Sequence, residues 1–562
     1  MNVMSCRHES LRKKAGIRAG PWLPVAWALL LLAVLAGPAL GLTTEYRSIG
    51  TNSATLYSTG TITATNGSAV VTFSGSTLPT TVGQGDKLTI NAVVYYVLSR
   101  DSATQVTLQS NASATYSGAT WTFTRAYTTM AAWNTGEAGN LVTADKIKVG
   151  VCYNDGAFSA GVTISGWTTD ATRYVVLTVA AIARHNGVIG AGALVDRNNV
   201  AGNIIDIQAA YTIVEWLEIT DWRVGGASNS GNAVQINGNF TGCLIQNLIL
   251  HTATVNATEG NSTSNGCAIT VSGLNAGTVT IRNNVIYDLT GWGISIGSCS
   301  NSSTAFVQNC TVHVTGTGIN TRDLNLTSTI QNCMVTGTNT RFDINTQANS
   351  KNNLSSDASA PGTSALINKT AANQYTSLTG GSEDFHLKAG ADAIDAGFDQ
   401  SGSFTTDFEG QTRGATWDIG ADEYGTMRYW VASSAGNWTS TANWSTGSGG
   451  AGGASVPSTT NNVVFDGNGL GACTVNAASD TTVASWTQNA SYTGTVTFNT
   501  AYTGAFQTFT ISGNATVNGG TWTHAVNTSA QTNRLKVAVG GSLTLGASGT
   551  INVDGRGFQS SG

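Results

Sequence analysis

Two six-residue phrases almost repeat, VQNCTV at 307–312 and IQNCMV at 330–335. Aligned on their asparagine, they bring out further copies. LIQNLIL carries Asn247, TIRNNVI Asn283, FVQNCTV Asn309, TIQNCMV Asn332 and SKNNLSS Asn352, at spacings of 36, 26, 23 and 20 residues. A second series, AVQIN, AITVS, GISIG, GINTR and DINTQ, runs between them. Its anchors are Val234, Ile269, Ile294, Ile319 and Ile344, the last four each 25 residues apart. An apolar–polar–apolar triplet that returns at such intervals cannot bury its own inner face. Stacked in parallel on its copies, it makes one continuous core. The expectation is a β-solenoid in which each phrase is one wall of one coil. The asparagines are expected to form a structural ladder at one corner, passing hydrogen bonds from coil to coil.

The rest of the chain agrees with an all-β fold. Turn formers break it into brief β-branched runs. With 41% apolar residues it is not disordered by composition. Only 10% of residues are charged, and 31 acidic groups face 26 basic ones, so the basic stripe that nucleic acid requires is missing.

The N-terminus reads as a targeting segment. Arg7, Arg12, Lys13, Lys14 and Arg18 precede the apolar run LPVAWALLLLAVLA, and GPALG follows it. That is the three-part pattern of a secretory signal covering residues 1–41, with a cut ahead of Leu42. A retained membrane anchor is the alternative, but the apolar run is short for a span. The mature protein is therefore expected to be secreted or held at the cell surface, and not transmembrane. Cleavage leaves seven cysteines and no CxxC pair, which reads as small buried hydrophobes rather than a disulfide framework or a zinc ribbon.

On these motifs, residues 145–357 resemble a right-handed parallel β-helix of the pectate-lyase-like superfamily. YVVLTV, IIDIQ and IVEWLEI extend the stack toward the N-terminus, with Trp216 at the ladder position. YTTMAAWNTG at 127–136 reads as a short helix with a threonine N-cap, plugging the open core of a β-helix spanning 127–357. Downstream, DFHLKAGADAIDAG, DFEGQTRG and WDIGADEY resemble the choice-of-anchor Q closing segment of secreted bacterial β-helices, placed at 358–427. Ala391-Asp392 stands where that family usually has Ser-Pro, and a further domain follows where an anchor would. Residues 42–126, broken by Asn66-Gly67 and Gly85-Asp86, read as a small antiparallel β-module, similar to modules of phage-tail-like and bacterial surface proteins. Residues 428–562 open with RYWVASSAGNWTSTANWS, similar to bacterial surface repeats, and continue as a Gly-rich second solenoid. The end at GRGFQSSG reads as a truncated reading frame.

Four sets of side chains are candidates for function. The outward residues of the triplet column, Asp206, Gln235, Thr270, Ser295, Asn320 and Asn345, are a candidate ligand-binding strip or a solvated polar ladder. Four residues past the ladder asparagines stand His251, Tyr287, His313 and Thr336, with Asp288 beside Tyr287. Histidine titrates near neutrality, so His251, Tyr287, Asp288 and His313 are the catalytic candidates; alternatively their rings cover the core edge. In the closing segment Asp395, Asp407 and Asp418 are candidate ligands for Ca²⁺, the only cofactor in prospect. Otherwise, with Asp422, Glu423 and Arg413, they fix loop turns. Trp430, Trp438 and Trp444 either stack on sugars or fill a small core.

No paired carboxylates flank the column as a glycosidase requires. The Asp-Asp and Gly-His-Gly phrases of pectin hydrolases and the Asp-His phrase of pectate lyases are also missing. The leading expectation is an exported, non-catalytic surface or adhesion-type β-solenoid whose partner is a polysaccharide or cell-surface glycan. A polysaccharide lyase or glycoside hydrolase is the second reading, and a phage-derived fibre or receptor-binding part the third.

Overall fold

A computed structural model describes residues 41–557, apart from 186, 199, 201, 225–230, 256–265, 339–340, 346–348, 389, 412, 415, 425–426, 460, 477–478, 500–505, 513, 529 and 542. All but the last residue of the expected signal segment lies outside the described residues. No helix among the described residues is long and apolar enough to cross a membrane.

The repeated triplets become strands of three parallel sheets, so the chain forms a parallel β-helix. The first sheet has eight strands, from Thr43–Ile49 to Leu326–Gln331. The second has seven, from Val162–Ile164 to Phe342–Ile344, and the third seven, from Leu194–Asp196 to Leu354–Ser355. From Val175–Val179 to Met334–Thr336 each coil contributes one strand to each wall, and the inward residues stack on their counterparts. Ile219, Leu250, Ile286, Val312 and Val335 form one such inward column, in strict register and fully buried.

The phrase QNC is explained position by position. Gln246, Gln308 and Gln331 end strands of the first sheet. Asn247, Asn283, Asn309, Asn332 and Asn352 then all take the left-handed conformation, with φ of 54°, 51°, 46°, 53° and 51°. Asparagine accepts that region more readily than other non-glycine residues, which suits it to a tight corner repeated in every coil. Trp216 holds the equivalent corner at φ 69°. The next residue, Cys310 or Cys333, points into the core and is fully buried. All seven described cysteines are free and buried, as small apolar side chains would be.

The expected cap helix is Met130–Glu137, with the Thr129 hydroxyl accepting the Ala132 N–H at 3.0 Å. It drives Trp133 into the open end of the core, where the side chain is fully buried. Gly150 lies beneath the indole; a Cβ there would stand 2.7 Å from the ring, so only glycine admits the plug.

The boundary of the N-terminal module needs correction. Residues 42–126 do not form one antiparallel unit, because Thr43–Ile49 pairs in parallel with Lys146–Cys152 as the first rung of the β-helix. The module is the antiparallel sheet built from strands between Thr61 and Thr124, inserted between the first two rungs. Arg125 locks it in place, buried between Asp86 at 2.8 Å and Asp155 at 2.6 Å.

Beyond Met427, parallel strands return in a sheet of nine and a sheet of three, the expected second solenoid. Trp430, Trp438 and Trp444 lie in its core with at most 1% exposure, which removes them as sugar platforms.

Candidate functional site

The β-helix presents two outward faces of different kinds. On the second sheet the polar column holds its predicted register through five residues: Asp206, Gln235, Thr270, Ser295 and Asn320 stand side by side on successive strands. The sixth prediction, Asn345, is corrected. Asn320 pairs with Asp343, and Phe342, not Ile344, is the anchor, because the final turn takes 23 residues rather than 25. The side chains satisfy one another sparsely: Asn232 Nδ2 donates to Gln235 Oε1 at 2.8 Å and Gln208 Nε2 to Asp206 Oδ2 at 2.8 Å. Asp343 faces Arg322 and Arg341, each at 3.5 Å. Asp206 and Asp343 are five strand steps apart, roughly 24 Å at the usual spacing between strands. A glycosidase needs its two carboxyl groups within about 10 Å, so this column does not hold such a pair.

The third sheet faces its own chain. The predicted column His251, Tyr287, His313 and Thr336 is in strict register, and Thr220 extends it by one strand. The closing segment lies across it. Tyr375, Phe385, Leu387, Phe408 and Ile419 share a core with Ile249, Val285, Tyr287, Met334 and Leu354 of the sheet. His251 stacks face-on against Tyr287, with ring centroids 5.1 Å apart and planes 6° from parallel, and its Nε2 lies 3.1 Å from Glu218 Oε1. Glu218 is itself buried and accepts the Gly190 N–H at 2.8 Å. Phe385 packs between Tyr287 and His313, at 4.6 Å and 5.7 Å.

One edge of this face stays open. A cleft of about 270 Å³ is lined by Tyr287, Asp288, His313, Thr315, Leu378 and Glu383. The structure thus gathers three of the four catalytic candidates, while His251 is held behind Tyr287 and does not line the cleft. The Tyr287 hydroxyl is buried without a hydrogen-bond partner. Burial, reinforced by the negative charges of Glu383, Glu218 and Asp288, pushes its pKa up, so the phenol keeps its proton. Burial pushes the His313 imidazole down, against the opposing pull of Glu383, and its Nδ1 lies 2.9 Å from the Thr336 hydroxyl. At neutral pH the cleft therefore offers a phenolic donor, a neutral imidazole and two acidic side chains. Nothing in the spacing of the sequence announces Leu378 and Glu383, which reach the cleft from the closing segment.

The asparagine column does something other than predicted. Among the described residues one side-chain bond passes along it, Asn332 Nδ2 to Asn309 Oδ1 at 3.2 Å. The other described amide bonds of these five side chains go to the closing segment. Asn247 Nδ2 donates to Asp407 O at 2.9 Å, Asn283 to Thr406 O at 2.8 Å, Asn309 to Gly420 O at 3.0 Å and Asn352 to Ala396 O at 2.8 Å. Gln400 Nε2 and Arg413 Nη2 return bonds to Asn309 Oδ1 and Asn283 Oδ1. Coil-to-coil bonding is carried one residue later, where inward-facing Asn284 accepts the Leu248 N–H and Asn353 the Cys333 N–H, at 3.0 and 2.9 Å.

The three candidate Ca²⁺ ligands do not assemble. Asp418 accepts the N–H groups of Asp395 and Tyr424 at 2.7 and 2.5 Å, and Asp395 accepts the Thr416 hydroxyl. Asp407 Oδ1 caps the N–H groups of Glu409 and Gln411, while its Oδ2 is buried without a partner. Burial, with Glu423 adding to it, pushes Asp418 up to about 7; burial together with Glu409 and Asp422 holds Asp407 well above the carboxylate range. Buried Arg413 closes the loop, donating to Glu423 Oε2 at 3.0 Å and to Ala421 O at 2.8 Å.

No protein-family model and no curated protein matches the chain. Among solved structures it is similar to the pectate lyase Pel9A, at 12% identity and TM-score 0.23, over 53% of this chain and 91% of that one. It is also similar to the tailspike protein gp49 from Pseudomonas phage LKA1, at 11% identity and TM-score 0.15, over 91% and 67% of the two chains. A third likeness is to the Gp54 tailspike of Acinetobacter baumannii bacteriophage AP22, solved with A. baumannii capsular saccharide, at 11% identity and TM-score 0.15, over 86% and 66%.

Proposed function

We propose that this is an exported, non-catalytic β-solenoid that binds a polysaccharide, with a sugar unit held in the cleft beside Tyr287 and His313. The observation that carries this reading is the Tyr287 hydroxyl, buried and unpartnered on a side chain that lines a cleft of hydroxyl, carboxyl and ring groups. A buried polar group without a partner costs free energy, and a sugar hydroxyl is a ligand group that would relieve it. Aromatic walls with a few placed polar groups are the usual make-up of a small-ligand site. The raised Tyr287 pKa favours a hydrogen-bond donor over a proton acceptor, and so binding over lyase chemistry. The basic-then-apolar N-terminal segment supports export.

The test is retention of the purified chain on a panel of acidic and neutral polysaccharides, alongside an assay for new reducing ends. Binding to at least one glycan without release of ends is expected, weakened about tenfold in Tyr287→Phe, the loss of one neutral hydrogen bond. Release of ends that depends on His313 would make the protein an enzyme. Binding unchanged in Tyr287→Phe would remove the cleft from the proposal.

A further inference from the structure

The closing segment gathers a second set of ionisable groups, separate from the saccharide cleft. His386 lies on the strand Asp384–Leu387, Glu409 in the turn after Asp407, and Asp422 shortly before the C-terminal module. One ligand-capable atom from each lies within 4.8 Å of the others. His386 Nε2 is 3.2 Å from Glu409 Oε2, and its Nδ1 is hydrogen-bonded to Asp384. Asp422 is 2% exposed. Its Oδ2 accepts the Leu387 N–H at 2.7 Å, but its Oδ1 is buried with no hydrogen-bond partner. All four side chains line one cavity of about 390 Å³, together with Arg428, which is held by Ser455.

We propose that His386, Glu409 and Asp422 form a binding site for a divalent transition-metal ion of the zinc type. One imidazole nitrogen with two carboxylate oxygens suits such an ion, whereas Ca²⁺ takes six or more oxygens. The distances fit. Two donors at zinc bond lengths and a tetrahedral angle stand roughly 3.3 Å apart, close to the separation of His386 Nε2 from Glu409 Oε2. Asp384 on the other ring nitrogen is the carboxylate–histidine arrangement that fixes the tautomer of a metal ligand. The unpartnered Asp422 oxygen gains a partner in the ion, and three protein donors beside a cavity leave a fourth position for water. Because the ligands come from three places in the closing segment, the ion would tie that segment together. Of the aspartates predicted from sequence as ligands, Asp395 and Asp418 have carboxylates taken up in the turns, and Asp407 is not in the cluster of three.

The experiment is calorimetric titration of the chelator-treated full chain with Zn²⁺, and in parallel with Ca²⁺, on wild type, Glu409→Gln and Asp422→Asn. One Zn²⁺ per chain is expected, with affinity at least tenfold weaker in both variants and a wild-type melting temperature raised by Zn²⁺ but not by Ca²⁺. The variants' circular dichroism without metal checks that they fold. Absence of saturable Zn²⁺ binding by wild type, preference for Ca²⁺, or unchanged affinity in both folded variants would each overturn the proposal. These outcomes are independent of saccharide binding, which is read through Tyr287.

Discussion

The second and third sheets of the β-helix are built by the same coils, yet their outer faces meet different surroundings. On the second, Asp206, Gln235, Thr270, Ser295, Asn320 and Asp343 form a polar column with few bonds among themselves. On the third, Ile249, Val285, Met334 and Leu354 are covered by Phe385, Phe408 and Ile419, and the adjoining asparagine corner is bonded to backbone carbonyls of the same segment. A solenoid's repeat generates columns, but what a column does depends on what lies over it. The covered face couples residues 160 positions apart, so its side chains carry stability. The open face makes few such bonds.

The sharpest break of this contrast is Asn309→Ala. Asn309 sits at φ 46° and bonds Gly420 O, Asp418 O and the Gln400 amide. Forcing alanine into the left-handed region and losing these bonds should cost about 2–4 kcal/mol, measured by urea denaturation. Asn309→Gly keeps the backbone freedom and should recover about 1 kcal/mol of that loss. Equal loss in both variants would mean the corner matters only for its hydrogen bonds.

A smaller effect should follow pH. Burial pushes Asp422 up to about 6 and Asp418 to about 7, and holds Asp407 well above the carboxylate range. These folded-state values exceed those of the unfolded chain, so between about pH 4 and pH 7 the folded state binds more protons and stability falls as pH rises. Burial lowers the His386 pKa, but Glu409 and Asp384 outweigh it and hold the imidazole well above its ordinary value. Its contribution is complete below about pH 6.5 and fades as pH rises through the folded value. In chelator, unfolding free energy should drop by on the order of 1–3 kcal/mol from pH 4.5 to 7.5, and by less in Asp422→Asn. A flat profile would mean that the buried carboxylates ionise without cost, and a rise that the fold favours their charged forms.

Sequence showed the coils clearly because a coil is local: its triplets recur, its asparagine marks the corner and its cysteine the core. The register of His251, Tyr287 and His313 was legible for the same reason. The reading failed where periodicity ends. The final turn is two residues shorter than the two before it, so repeating the isoleucine spacing chose Ile344 and Asn345 over Phe342 and Asp343. The strand Thr43–Ile49 was misplaced because the strand it pairs with, Lys146–Cys152, begins about a hundred residues later. The cover over the asparagines left no periodic trace either. The bond from Asn283 to Thr406 joins residues 123 apart, and Glu383 reaches the cleft from the closing segment. Repeats report what stacks on itself, and partners from outside the repeat stay hidden.

The smallest expected effect is on the open face. Asn320 is partly exposed and donates one long bond, Nδ2 to Ser295 Oγ at 3.4 Å, while its oxygen accepts the Arg322 N–H at 3.2 Å. Asn320→Ala removes no covered contact and strains no left-handed corner, so it should change stability by less than about 0.5 kcal/mol. Set beside Asn309→Ala, it measures the worth of being covered with the residue type held constant. A loss of 2 kcal/mol or more would mean that the polar column acts as a cooperative ladder. A neutral result would leave the second sheet able to change its outward residues at almost no cost to the fold, as a variable contact strip must.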